Sequence, residues 1–191
     1  MTEDAARLLG FWFAGGPDTF RPAWFLKDDA FDAACRDGFG HLVVPARDAA
    51  LDDWATTPDG ALALVLLLDQ FPRNLFRGTA EAFASDAHGR AVARRAVLEH
   101  RFDLALAPTQ RVFLYLPFEH GEALAEQALS VALFEGLRDH PAQAKPGGTI
   151  DYAWRHRQVI ERFGRFPHRN AALGRESTAP ELAWLAAGGG F

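Results

Sequence analysis

Cysteine occurs once in the 191 residues, at Cys35, so the chain carries no disulfide framework and no cysteine-rich zinc module, and it fits a reducing compartment such as the cytoplasm. Long hydrophobic runs are missing too. The longest aliphatic stretch, Ala61 to Leu68, is far short of the roughly 20 residues that cross a bilayer, and the chain opens on Glu3 and Asp4 rather than a basic segment, so export and membrane insertion are both disfavoured. Lysine is nearly absent, with Lys27 and Lys145 beside 18 arginines. Positive charge is in deficit overall at a net −5, and no basic helix face is interleaved with stacking aromatics, which excludes a nucleic-acid partner. Two-residue alternation bounded by hairpin dipeptides does not occur, which leaves no basis for strands.

Present instead is the composition of a globular protein, 49% hydrophobic and 24% charged, enough to bury one core. Helical spacing recurs throughout and predicts an all-α fold in a single domain over 1–191, with helices over Asp4–Phe13, Asp29–Pro45, Ala46–Ala55, Gly60–Phe71, Thr79–His100, Thr109–Leu116, Phe118–Arg138, Thr149–Phe163 and Thr178–Ala187. The stretch Ala61–Leu68 is apolar all round, which marks it as the central helix. Pro141 to Gly148 reads as a linker ahead of a closing helix pair over 149–187. The aromatics Phe11, Trp12, Phe13, Trp24, Phe25 and Phe31 read as core, and Gly188-Gly189-Gly190-Phe191 as a flexible tail.

A short echo runs through the chain: Phe71-Pro72-Arg73-Asn74 returns as Phe166-Pro167-His168-Arg169-Asn170, each time after an apolar helix. Proline pushes the residue before it to an extended conformation, and asparagine tolerates the left-handed turn, so both copies are expected to end a helix and present an Arg-Asn pair. Thr178-x-x-Glu181 further on is a capping box.

Charge is concentrated late in the chain. Arg155, Arg157, Arg162, Arg165, Arg169 and Arg175, with His156 and His168, face only Asp151 and Glu161 between 151 and 175. Mutually repelling cations need solvent, a bound anion or neutralisation by Asp69, Glu119, Glu122 or Glu161 in an internal network, and backbone N–H groups near Ser177 and Thr178 could add donors. Asp69, expected in the last turn of the central helix, would need a cationic partner such as Arg73. Glu119, Glu122 and Glu126 are expected in the first turns of a helix beginning after Pro117. His120 heads the stripe His120, Leu124, Gln127, Val131 and Phe134, and His156 belongs to the stripe Tyr152, His156, Val159 or Ile160, and Phe163, so both histidines are expected to face inward. No two-histidine helical motif is present, and neither a metal nor a cofactor is expected.

These residues converge on one expectation: a polar pocket lined by Asp69, Arg73, Asn74, Glu119, His120, His156, Arg162, Arg165, His168, Arg169 and Asn170 that binds a small anionic molecule through carboxylate or phosphate. Should the ligand be turned over, His120 or His156 moves the proton and Asp69 or Glu119 orients the imidazole. The rival expectation is a helical adaptor whose groove holds an acidic peptide or a C-terminal carboxylate.

Three motifs in order, Asp69-Gln70-Phe71-Pro72-Arg73-Asn74, Leu116-Pro117-Phe118-Glu119-His120-Gly121-Glu122 and Arg162-Phe163-Gly164-Arg165-Phe166-Pro167-His168-Arg169-Asn170, resemble a bacterial family catalogued as domain of unknown function 924. The resemblance runs from Phe11-Trp12-Phe13 to Glu181 and implies a compact helical domain of antiparallel helix pairs similar to tetratricopeptide arrays, without implying an activity. Gly121 departs from the family pattern, which has a small hydroxyl residue between the His and the Glu of this stretch.

Overall fold

The computed structural model describes residues 1–191 and is all-α, with nine α-helices joined by short 3-10 turns and no strand. Two compact units make up the chain, one from Met1–Arg77 with Glu81–Pro117 and one from Gly78–Ala80 with Phe118–Phe191. No helix is long and apolar enough to cross a membrane.

The first unit is organised around α3 (Pro58–Leu75), in which every residue from Gly60 to Pro72 is buried. Its start is well specified: Thr57 accepts from the Gly60 N–H, and Pro58 takes the first helical position, where its missing N–H costs nothing. Against α3 pack α1 (Glu3–Trp12), α2 (Asp29–Arg47) and α4 (Asp86–Arg94), the first two capped by Thr2 and Asp28. Trp12 sits fully buried among Trp24, Phe31, Phe71 and Phe113 at ring separations of 5.3–6.2 Å, so most of the early aromatics are core as expected, although Phe25 remains half exposed.

Proline placement is where the fold departs most from expectation. Pro45, Pro72 and Pro117 all lie inside helices rather than ending them, α5 running from Pro108 to Glu119. An interior proline cannot donate to the carbonyl four residues back, so for Pro72 the orphan is the Leu68 carbonyl. Ser85, the residue preceding α4, donates its hydroxyl to that oxygen at 2.6 Å, and Gly89 lets α4 approach so closely that an added Cβ would meet Leu68 Cβ at 3.2 Å. α3 therefore continues to Leu75, and the first copy of the echo is helical rather than a loop. Ser85→Ala leaves a buried acceptor without its donor and is expected to cost about 1 kcal/mol in urea unfolding, with Ser85→Thr close to wild type; an unchanged midpoint for the alanine variant would refute this account.

Two other expected helices are broken up. Residues 46–55 divide between the end of α2 and a 3-10 turn over Asp52–Thr56, and 79–100 between a 3-10 turn (Ala80–Phe83), α4 and a π-helical segment (Arg95–Glu99).

The second unit contains α6 (Leu124–Glu135), α7 (Pro141–Ala144), α8 (Thr149–Phe163) and α9 (Ala179–Ala186). α6 and α7 both pack on α8, so the expected linker at 141–148 holds a short helix of its own. α8 stops where the sequence predicts, because Gly164 adopts φ +70°, a left-handed conformation open to glycine. Phe166 is then extended and Pro167 begins a 3-10 turn (Pro167–Arg169), so the second copy of the echo lies in a loop, beyond the helix that Gly164 has already ended. The capping box at Thr178 and Glu181 forms as expected.

Candidate functional site

In the first unit, α3 carries Asp69, Arg73 and Asn74. Asp69 is 1% exposed and lies well before the end of the helix, not in its last turn. Its side chain accepts from Gln70, and Arg73 Nη1 donates to its backbone oxygen at 2.8 Å while lying 3.4 Å from its carboxylate. Arg73 also forms two hydrogen bonds, at 2.8 and 3.0 Å, with Asp86 at the start of α4. Burial works against the Arg73 charge, yet Asp69 and Asp86 outweigh it and raise its pKa. Asn74 donates to Asp32 of α2 at 2.7 Å, and Arg77 grips the same carboxylate at 2.8 and 3.0 Å. Burial alone would raise the Asp32 pKa; the hydrogen bonds from Arg77 and Asn74 hold it below the usual value instead. Arg73 and Asn74 thus tie α3 to its neighbouring helices through two carboxylates that sequence reading passed over. Asp32 had a legible signal, since it falls on the buried stripe Asp32, Cys35, Phe39 and Leu42.

The second unit gathers Glu119, His120, His156, His168, Arg169 and Asn170. Glu119 ends α5 and His120 follows in the break before α6, so neither stands at a helix start, and the expected stripe holds only from Gln127 through Val131 to Phe134. The break is fixed by Gln127, whose side-chain amide donates to the carbonyls of Glu119 at 2.6 Å and Gly121 at 2.7 Å. Gly121 lets Glu126 approach closely there, since an added Cβ would stand 2.9 Å from Glu126 Cβ and force a shift.

His156 lies on the inner face of α8, with Nδ1 2.8 Å from the Tyr152 carbonyl and 3.1 Å from Glu119 Oε1. A carbonyl can only accept, so Nδ1 carries the hydrogen and Nε2 keeps its lone pair. Burial pushes the His156 pKa well below 6.5, and His120, Arg169 and His168 push it the same way, while the Tyr152 carbonyl opposes them. The ring is therefore neutral at pH 7, with the Arg169 charge and the Glu119 carboxylate both acting on it. His120 is 6.2 Å away centre to centre. Arg169, itself buried, donates to the His120 carbonyl at 3.0 Å and lies 4.5 Å above the Phe166 ring.

Asn170 belongs to a clamp around the Phe166–Pro167 turn. It accepts from Arg175 at 3.0 Å and donates to Ser177, while Arg175 grips Glu122 at 2.7 and 3.0 Å and Glu122 also accepts from the Phe166 N–H. Burial opposes the Glu122 charge, but Arg175 and the Phe166 N–H lower its pKa below the ordinary value.

Among the late arginines, Arg157 is matched by Glu161, Arg165 by Glu181, and Arg175 by Glu122. Arg162 lies over the Phe163 ring at 4.7 Å and is exposed. With Arg165 and the start of α9 it borders a surface depression of about 470 Å³, but Glu181 fills the anion's place there. It accepts from Arg165 at 2.7 and 2.8 Å and from the Thr178 N–H, which pull its carboxyl down to about 2. The helix-start donors expected for a ligand are thus satisfied from within.

Nothing in the sequence signalled the role of Phe191. It is docked, not flexible: its ring stacks on His156 at 3.5 Å and 13°, with Phe166 and His168 presenting to it at 6.1 and 5.7 Å. Two buried atoms on α6, Gln127 Oε1 and Ser130 Oγ, have no hydrogen-bond partner. No group of three or more His, Cys, Asp and Glu side chains is arranged to hold a metal ion.

Comparison with known proteins bears on identity rather than chemistry. No curated protein matches the chain. A solved structure of a protein of unknown function from Agrobacterium tumefaciens is similar, with 42% identity, coverage of 96% of this chain and 97% of that one, and a TM-score of 0.84. The family described as bacterial protein of unknown function (DUF924) matches residues 8–189. The chain belongs to that family.

Proposed function

We propose that the second unit binds a small anionic molecule, carboxylate or phosphate, beside His120, His156, His168 and Arg169, and that His156 is its proton-accepting group, oriented by Glu119. The observation that carries this reading is the state of His156: buried, hydrogen-bonded through Nδ1 and held neutral chiefly by burial, with the Arg169 guanidinium beside it. An anion is attracted to that guanidinium, and by reciprocity its arrival makes Nε2 more basic, so binding and proton acceptance reinforce one another. The single free thiol, Cys35, is buried and pushed up to about 12, chiefly by burial, and its inertness is in keeping with a cytoplasmic setting.

Phosphate, sulfate or succinate at fixed ionic strength is expected to raise the melting temperature of the wild type, because a ligand of the native state adds RT ln(1 + [L]/Kd) to its stability. The increment should vanish in Arg169→Gln. On the same additions the His156 ring should titrate at higher pH in nuclear magnetic resonance, a readout independent of how well the variant folds. Equal stabilisation of wild type and variant, with His156 unmoved, would reduce the effect to general salt action.

A further inference from the structure

The stack on His156 points to a ligand more specific than a bare anion. Phe191 places its ring face to face with the imidazole at 3.5 Å, while Phe166 stands edge-on to both rings, 5.5 Å from His156 at 77° and 6.1 Å from Phe191 at 90°. His168 closes another side at 5.7 Å and 79°. One stacked face with perpendicular walls is the arrangement in which a flat π-system gains most from its neighbours. Phe191 nevertheless remains 49% exposed, and neither it nor Gly190 takes part in a backbone–backbone hydrogen bond.

The path that delivers this ring is specified by the sequence. Gly188 and Gly190 adopt φ +83° and +150°, and an added Cβ at Gly189 would lie 2.3 Å from the Trp184 indole. All three glycines are needed for this course, although three in a row carry a large entropic cost when ordered. Upstream of the ring the tail is anchored, Gly188 donating to the Leu185 carbonyl and Gly189 to the Trp184 carbonyl, so only Gly190 and Phe191 need move for the ring to leave.

We propose that the slot formed by His156, Phe166 and His168 is a binding subsite for a planar aromatic ring, that Phe191 is its displaceable occupant, and that the ligand is an aromatic carboxylate or aryl phosphate. The anionic half of this assignment rests on the function proposed above; the ring half does not. A tethered ring competes at an effective concentration in the millimolar range, so an incoming ring binds more weakly while Phe191 is in place. The Arg169 guanidinium, 4.5 Å from the Phe166 ring, is the group nearest this slot that suits the ligand's charge.

The test uses the full chain as wild type, Phe191→Ala and Gly189→Val, the last ejecting the tail while leaving the slot intact. Binding of benzoate, acetate, phenyl phosphate, inorganic phosphate and benzyl alcohol is followed through the His156 ring protons, which a stacked ring shifts upfield. Both variants should lose the upfield shift, and benzoate and phenyl phosphate should restore it. In both, these probes should bind about tenfold more tightly than acetate and inorganic phosphate, and more tightly than they bind the wild type. Acetate matching benzoate in Phe191→Ala would overturn the ring subsite while sparing the anion site. Benzyl alcohol matching benzoate, with acetate silent, would uphold the subsite and sink the anion reading. No change in the His156 signals of either variant would overturn the proposal outright.

Discussion

Arg73→Met is expected to destabilise the protein by about 3–5 kcal/mol at pH 7, toward the lower end because the guanidinium keeps 18% exposure. Methionine preserves most of the apolar stem, so what is lost is charge and hydrogen bonding, not volume. Left behind are Asp69, 1% exposed, and Asp86, 13% exposed at its side chain, both deprived of the cation that lay within 3.4 and 2.8 Å. Two buried carboxylates without that cation cost desolvation and repel one another, so the variant should recover part of its deficit in acid, where protonation removes those charges. Arg73→Met combined with Asp86→Asn should recover part of it at pH 7, since one of the stranded charges has been removed. A loss below about 1 kcal/mol in urea unfolding would mean that water reaches the pair and that α3 and α4 are joined by packing alone.

The same arginine shows which features the sequence could and could not disclose. Helix content was legible because a 3.6-residue period is written locally: α8 begins and ends where its spacing and Gly164 predict, and α9 follows from a capping box whose two members are three residues apart. Proline behaviour was not, because the fate of an interior proline is settled by a distant donor. Phe71-Pro72 and Phe166-Pro167 share a motif, yet Ser85 supplies the missing hydrogen bond at the first and the helix continues. The site divides along the same line. Inward-facing His156 and Gln127 could be read from their stripes, since a stripe is a property of one helix. The pairing of Asp69 with Arg73 could be read because both lie on one helix, but Asp86, Asp32 and Glu181 could not be assigned to Arg73, Arg77 and Arg165, because each of these carboxylates lies on another element. Phe191 lay furthest from reach, as three glycines signal freedom, while its position depends on the close passage of Gly189 by Trp184 and on the stack with His156.

His156 should give the wild type a pH dependence that one substitution removes. Its folded pKa lies well below the 6.5 of an unhindered histidine, chiefly through burial, so below pH 6.5 the unfolded chain takes up a proton that the folded one refuses. Stability therefore falls as the pH is lowered below 6.5, by at most about 1.4 kcal/mol per pH unit for one proton. The carboxylates held low by their partners, Asp32, Glu122 and Glu181, act in a different window: their contributions are complete above their ordinary values of 3.8 to 4.5 and disappear only at lower pH. The groups facing His156 are Glu119, which favours the imidazolium, and His120, His168 and Arg169, which disfavour it. In His156→Gln the slope between pH 6.5 and 5 should flatten, measured by urea unfolding at half-unit steps and read as the difference from wild type. A wild type more stable at pH 5.5 than at 7.5, with the difference abolished by the substitution, would mean that Glu119 and His156 form a buried ion pair. His156 would then be an acid at neutral pH, and the direction of proton transfer in the proposed site would reverse.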